Sequence, residues 1–288
     1  MRFVSKFLLI TIAPLFGIGT HFLSLPTTVD HLSIGTHPTL QNFNSTNPAL
    51  YMASIHQPDF SINRGEWFGD VSTTQLTYNQ SLKHNVFHVG LRYASLSGLE
   101  FRENRPQDDP SAHFSAYGLA MDAGFSFQKK KTKLGVSLSA VQMGIYSESS
   151  FGMGLNVGVV KSLKQGLSLG LVLKNMGWMS TLENTSPKLP MTFEGGVAKK
   201  IIFNDYSNQI HGSFAQDHIS KQWVLALGNE FKWQRLRIMG GFSTSNDVVE
   251  TSTGFGIQAL GMNFSYGARF GSQQLGTPQI FTIHMKLP

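Results

Sequence analysis

The chain has 288 residues, a net charge of +6, 14% charged residues and no cysteine. That charge content lies well below the ~25% of a typical soluble domain, and the lack of cysteine excludes a disulfide framework or a thiolate metal site. A mean hydropathy of −0.07, with no internal run of the ~20 apolar residues a membrane helix requires, excludes a helical membrane bundle. The longest basic run, Lys129, Lys130 and Lys131, is too short to grip nucleic acid.

Residues 1–24 read as a secretory signal peptide. Arg2 and Lys6 precede an apolar stretch over 7–18, which at ~1.5 Å per residue is too short to span a bilayer as a helix. Residues 25–57 form a separate N-terminal segment, periplasmic or lumenal, rich in Thr, Asn, His and Pro and without strand alternation. Its Asn47-Pro48 step signals a turn, because proline drives the preceding residue out of the α region. The lumen is the favoured location, since a closed barrel needs its interior filled.

Residues 58–288 are expected to form a transmembrane antiparallel β-barrel of about fourteen strands. The alternation is plainest in 150–161 and 166–175. Phe151, Met153, Leu155, Val157 and Val159 share one face and Gly152, Gly154, Asn156 and Gly158 the other; Leu167, Leu169, Leu171 and Leu173 then repeat the pattern. A soluble sandwich also alternates, but its second face would be solvated. Here that face is crowded with glycine, of which the chain has 29, as suits the inside of a barrel whose large apolar residues meet lipid. The other segments fall at 59–67, 71–81, 84–96, 113–127, 133–146, 190–201, 207–216, 221–232, 235–243, 251–259, 262–270 and 278–287. Short connections alternate with longer ones at 97–112, 176–189, 244–250 and 271–277, as periplasmic turns alternate with outer loops.

The same alternation turns Arg92, Asp122, Lys174, Glu194, Glu230, Lys232, Arg237 and Arg269 toward the lumen. Both signs are present, so these are candidate polar residues for ion pairs that hold the interior or form a polar track. No catalytic set is marked: Gly152-x-Gly154-x-x-x-Gly158 lies within a strand rather than a strand-turn-helix nucleotide loop, and the histidines form no H-E-x-x-H. A non-enzymatic protein without metal or cofactor is expected, with outer-membrane lipid as its surroundings.

Several motifs in this order resemble the PorV/PorQ family of outer-membrane proteins, which is related in fold to FadL-type transport barrels. They are Asn47-Pro48-Ala49 at the plug boundary, Ser149-Ser150-Phe151-Gly152, the stretch from Gly170 through Lys174-Asn175 to Gly177, Leu189-Pro190, Gly254-Phe255-Gly256-Ile257, Phe264-Ser265-Tyr266-Gly267 and Leu275-Gly276. PorQ is the nearer branch. The resemblance implies a type IX secretion component in a bacterial outer membrane, shuttling or anchoring proteins at the surface. Its implied partners are PorU/PorZ-like attachment proteins and secreted cargo with C-terminal sorting domains. The alternative it leaves open is a FadL-like channel for hydrophobic small molecules.

Overall fold

A computed structural model describes residues 19–42, 45–51, 57–83, 85–102, 109–246, 248–271 and 276–287. Most of the expected leader, part of the 97–112 loop and Leu275 lie outside the described residues. Fourteen strands close into one antiparallel barrel in sequence order. The first seven are β1 (Asp59–Trp67), β2 (Val71–Leu82), β3 (Asn85–Phe101), β4 (Ala112–Lys129), β5 (Thr132–Ile145), β6 (Glu148–Ser162) and β7 (Leu167–Met179). They are followed by β8 (Thr192–Phe203), β9 (Tyr206–Asp217), β10 (Trp223–Trp233), β11 (Leu236–Ser245), β12 (Val249–Ala259), β13 (Met262–Gly271) and β14 (Gln279–Lys286). The ring closes where β1 pairs with β14, from Asp59↔Lys286 to Glu66↔Gln279.

The strands are built by alternation. Met121, Leu138, Leu227, Ile238 and Phe255 are each more than half exposed on the outer surface, as residues facing hydrocarbon must be. Their neighbours Ala120, Ser137, Ala226 and Gly254 are buried on the inner face. With no water in the bilayer core, a spanning sheet must satisfy all its backbone groups in a closed ladder. No helix among the described residues is long and apolar enough to cross a membrane. This is an outer-membrane β-barrel, and its place is a bacterial outer membrane. The turns between β2 and β3, β4 and β5, and each later even–odd pair are short, and both ends of the barrel domain emerge at that rim, which is therefore the periplasmic one.

Residues 19–42 and 45–51 run through the barrel interior. They contain a 3₁₀ turn at Thr20–Ser24, a short helix α1 at Val29–Ile34 and a second 3₁₀ turn at Pro48–Leu50. Thr28 caps α1, its side chain accepting from the His31 N–H at 3.1 Å. Phe22, Val29, Leu32, Ile34 and Leu50 are almost wholly buried. Thr20–Ser24, which the sequence pattern assigns to the leader, is thus part of the lumenal packing: Phe22 joins Ala94, Ala116, Val141 and Leu189 in one apolar cluster.

Candidate functional site: the plugged lumen and the β7–β8 seam

Inner-face glycines mark where this plug touches the wall. A Cβ on Gly118 would strike the Phe22 ring, one on Gly228 would strike Ile34, and one on Gly135 would strike the backbone of Pro48 and Ala49. The Asn47-Pro48-Ala49 turn accordingly lies deep in the barrel against β5 and β6, with Gly158 beneath the Asn47 amide. Asn47 is fully buried. Its Oδ1 accepts from the Ala49 N–H at 3.0 Å, and its Nδ2 donates to the carbonyls of Pro38 at 2.7 Å and Leu171 at 3.4 Å. One side chain therefore ties two plug segments to each other and to β7.

The lumenal charges fall into four separate groups. Arg92 donates to the Leu23 carbonyl at 2.7 Å. Nearby, Asp122 pairs with His88 at 3.1 Å; His88 in turn meets Asn79 at 2.6 Å and stacks on Tyr51, ring centroids 4.0 Å apart. Lys174 and Glu194 form an ion pair across β7 and β8. Glu230 takes Lys232 at 3.1 Å and Arg237 at 3.4 Å, and Arg237 also binds Asp30 in the first turn of α1. Arg269 reaches the other end of the helix: it pairs with Glu250 at 3.3 Å, donates to the carbonyls of Leu32 and His31, and lies over Trp67. Two arginines thus hold α1, a cation at its terminal carbonyls being the favourable sign. Sequence reasoning missed Asp30, Glu250 and Trp67. Thr28 followed by Asp30 was the one local signal for α1, since a helix this short has no periodicity to read. Burial holds the His31 imidazole well below its usual range and pushes His37 down to about 4. Among the described residues no three His, Asp or Glu side chains converge as a metal site would need.

The wall itself changes at β7. The β7–β8 ladder ends at Lys174↔Thr192, yet β7 continues to Met179 bonded to β6 alone, and the β6–β7 register shifts between Leu155 and Val157. Asn175 marks the bend with φ +57°. Its N–H donates to the Asn156 side chain at 2.7 Å and its Nδ2 to the Pro190 carbonyl at 3.0 Å. Beyond that point the segment 189–191 stands in for a strand, with Leu189 buried inside and the Met191 carbonyl accepting from the His218 N–H at 2.9 Å. On its inner side lies a cavity of about 590 Å³ lined by Leu23, Lys174, Thr192, Glu194 and Val224 among others. On the outer side Leu173, Met191 and Phe193, together with Gln216, Asp217, His218 and Lys221, line a hollow of about 290 Å³.

A plugged, closed barrel of fourteen strands whose wall is interrupted on one side defines the class. Two solved structures share the fold. A TodX variant described as a monoaromatic hydrocarbon channel matches with a TM-score of 0.63 at 14% identity, covering 89% of this chain and 96% of that one. CymD, also described as a monoaromatic hydrocarbon channel, matches with 0.63 at 10% identity, covering 90% and 98%. No protein-family model and no curated protein matches the sequence.

Proposed function

We propose that this protein is a FadL-like outer-membrane passage for small apolar molecules, working between the lumenal cavity and the bilayer across the β7–β8 seam. The observation that carries the reading is the end of the β7–β8 ladder at Lys174↔Thr192, with a cavity inside and an apolar hollow outside. The two spaces lie back to back across the last ladder pairs, Lys174 and Thr192 facing the cavity and Leu173 and Phe193 the hollow, where the irregular segment 189–191 begins. A route that opens into lipid suits a solute that already prefers hydrocarbon to water. The description of TodX and CymD as monoaromatic hydrocarbon channels agrees with that solute class. On this reading the protein performs no covalent chemistry and needs no cofactor.

Toluene flux into asymmetric liposomes whose outer leaflet is lipopolysaccharide, which slows unaided entry, tests it with the purified barrel inserted. Met191→Ala removes a side chain that lines the outer hollow where the ladder ends and should raise flux severalfold. Ala215→Trp places a bulky ring in the cavity that Ala215 lines and should reduce flux to the protein-free background. Wild-type flux no greater than the lipid background would sink the proposal.

A second reading, surface attachment of the PorV/PorQ type, is favoured by β3 and β4. These strands have 17 and 18 residues, against the ~9–11 needed to cross a bilayer, so their hairpin stands out beyond the membrane with Phe101 51% exposed near its end. It offers a ledge for PorU/PorZ-like proteins or for cargo with a C-terminal sorting domain. Pull-down from native outer membranes through a tag in the 97–112 loop separates the readings. Recovery of sortase-like or cargo proteins supports attachment, and a barrel that brings down only lipid counts against it.

A further inference from the structure

The two rims of the barrel carry opposite charge. At the periplasmic rim Lys129, Lys130 and Lys131 crowd the β4–β5 turn, Lys161 and Lys164 the adjacent β6–β7 turn, and all five are exposed. Lys83 extends this arc on one side and the outward-facing Lys199, which donates to the Gln165 carbonyl in the β6–β7 turn at 2.5 Å, on the other. Among the described residues the single carboxylate in the four short turns from β2 to β9 is Asp205. At the outer rim the sign reverses: among the described residues Asp70, Glu100, Asp109, Glu148, Glu183 and Asp217 outnumber Arg64, Arg102, Lys188 and Lys221. Neither the passage nor the plug uses the basic arc.

We propose that this arc recognises anionic phospholipid headgroups of the inner leaflet, gathering phosphatidylglycerol-type lipids around β4–β9 ahead of zwitterionic ones. Three features select a lipid over an acidic protein as the occupant. Lys129 lies two positions beyond Phe127, and Lys161 two beyond Val159, on the outer faces of their strands; each apolar side chain sits in hydrocarbon while the lysine beside it extends to the phosphate level. Phe203 and Tyr206 stack at the end of the next hairpin, β8–β9, ring centroids 5.1 Å apart, as aromatic side chains do at a membrane interface. The cations also follow the curve of the barrel–lipid boundary over three adjacent short turns, rather than forming one patch on a projecting loop. A basic side chain near an anionic surface gains about fivefold in partitioning, so several acting together produce a measurable selection.

The test is lipid retention by the full-length purified barrel in nanodiscs of equal parts phosphatidylglycerol and phosphatidylcholine, read by mass spectrometry after gentle delipidation. The expected result is severalfold enrichment of phosphatidylglycerol, lost in Lys129→Gln/Lys131→Gln/Lys161→Gln/Lys164→Gln. About 0.5 M salt, which shortens the screening length to a few ångströms, should also abolish it. The matching four-lysine-to-arginine variant should keep the enrichment, and heat-modifiable gel migration reports that each variant is folded. Equal retention of the two lipids by the wild type overturns the proposal, as does enrichment that survives the glutamine substitutions. Capture of an acidic periplasmic protein by the same lysines, with no lipid preference, overturns it too.

Discussion

Asn47 shows how much of the plug's position rests on single polar side chains. Asn47→Ala removes an acceptor from the Ala49 N–H and a donor from two buried carbonyls. Unpaired buried groups of this kind cost about 1–3 kcal/mol each. The plug, not the ladder of strands, should loosen: limited proteolysis is expected to cut near 45–51 in the variant while the heat-modifiable shift of the barrel stays unchanged. His37 provides a pH test on the same segment. Its nitrogen hydrogen-bonds the Ile34 carbonyl at 2.8 Å, and burial lowers its pKa from 6.5 to about 4. A freed plug takes up a proton near pH 6.5 that the docked plug refuses until about pH 4, so docking is strongest above 6.5 and weakens as pH falls through that window. The loss amounts to roughly 3 kcal/mol at its lower end. Hydrogen exchange of residues 29–42, corrected for the intrinsic rate, should show less protection at pH 4.5 than at pH 7.5, and His37→Leu should reduce the difference, the buried His31 accounting for part of what remains.

At the scale of elements, α1 is held at both ends by wall arginines, which makes unequal losses predictable. Arg237 shares its charge between Asp30 and Glu230, so Asp30→Asn leaves it one partner. Arg269 is the sole described partner of the Leu32 carbonyl and pairs with Glu250 besides. Arg269→Met should therefore destabilise plug docking by about 3 kcal/mol or more, as the loss of one member of a buried pair does. Arg269→Lys should recover little, because an ammonium cannot reproduce the planar fork. Urea titration of plug protection in the three variants checks the order. Strands were legible in the sequence because a period of two repeats on every pass through the membrane; Phe151, Met153 and Val157 declare their face without help from any partner. The plug was not legible in detail, because its contacts join residues far apart, such as Phe22 with Gly118 or Asn47 with Leu171. Alternation also placed Lys174 and Glu194 on the lumenal side while leaving open that they meet. Their encounter depends on the β7–β8 register, in which Glu194 faces Val172, two positions from Lys174. The bend at Asn175 was hidden because the apolar pattern runs through it.

For the whole molecule, the buried position of Thr20–Ser24 sets where processing can occur. Thr20 donates to the Lys188 carbonyl at 2.6 Å, and Phe22 fills a cluster drawn from four strands and the 180–191 connection. Cleavage after residue 24 would remove both anchors. The mature N-terminus, read by intact mass from native membranes, is expected at or before Gly19; a start at residue 25 would refute this assignment. The closing contact between β1 and β14 has a different kind of consequence. The segment that fills the lumen precedes β1, and the ring is shut by the pairing of β1 with β14, so the filling is covalently tied to one of the two edges that must meet. Closure and filling are therefore one event: a sheet folded around its own leading segment is sealed only when Asp59 meets Lys286. Faults in the interior would then surface as stalled biogenesis, before any question of transport arises.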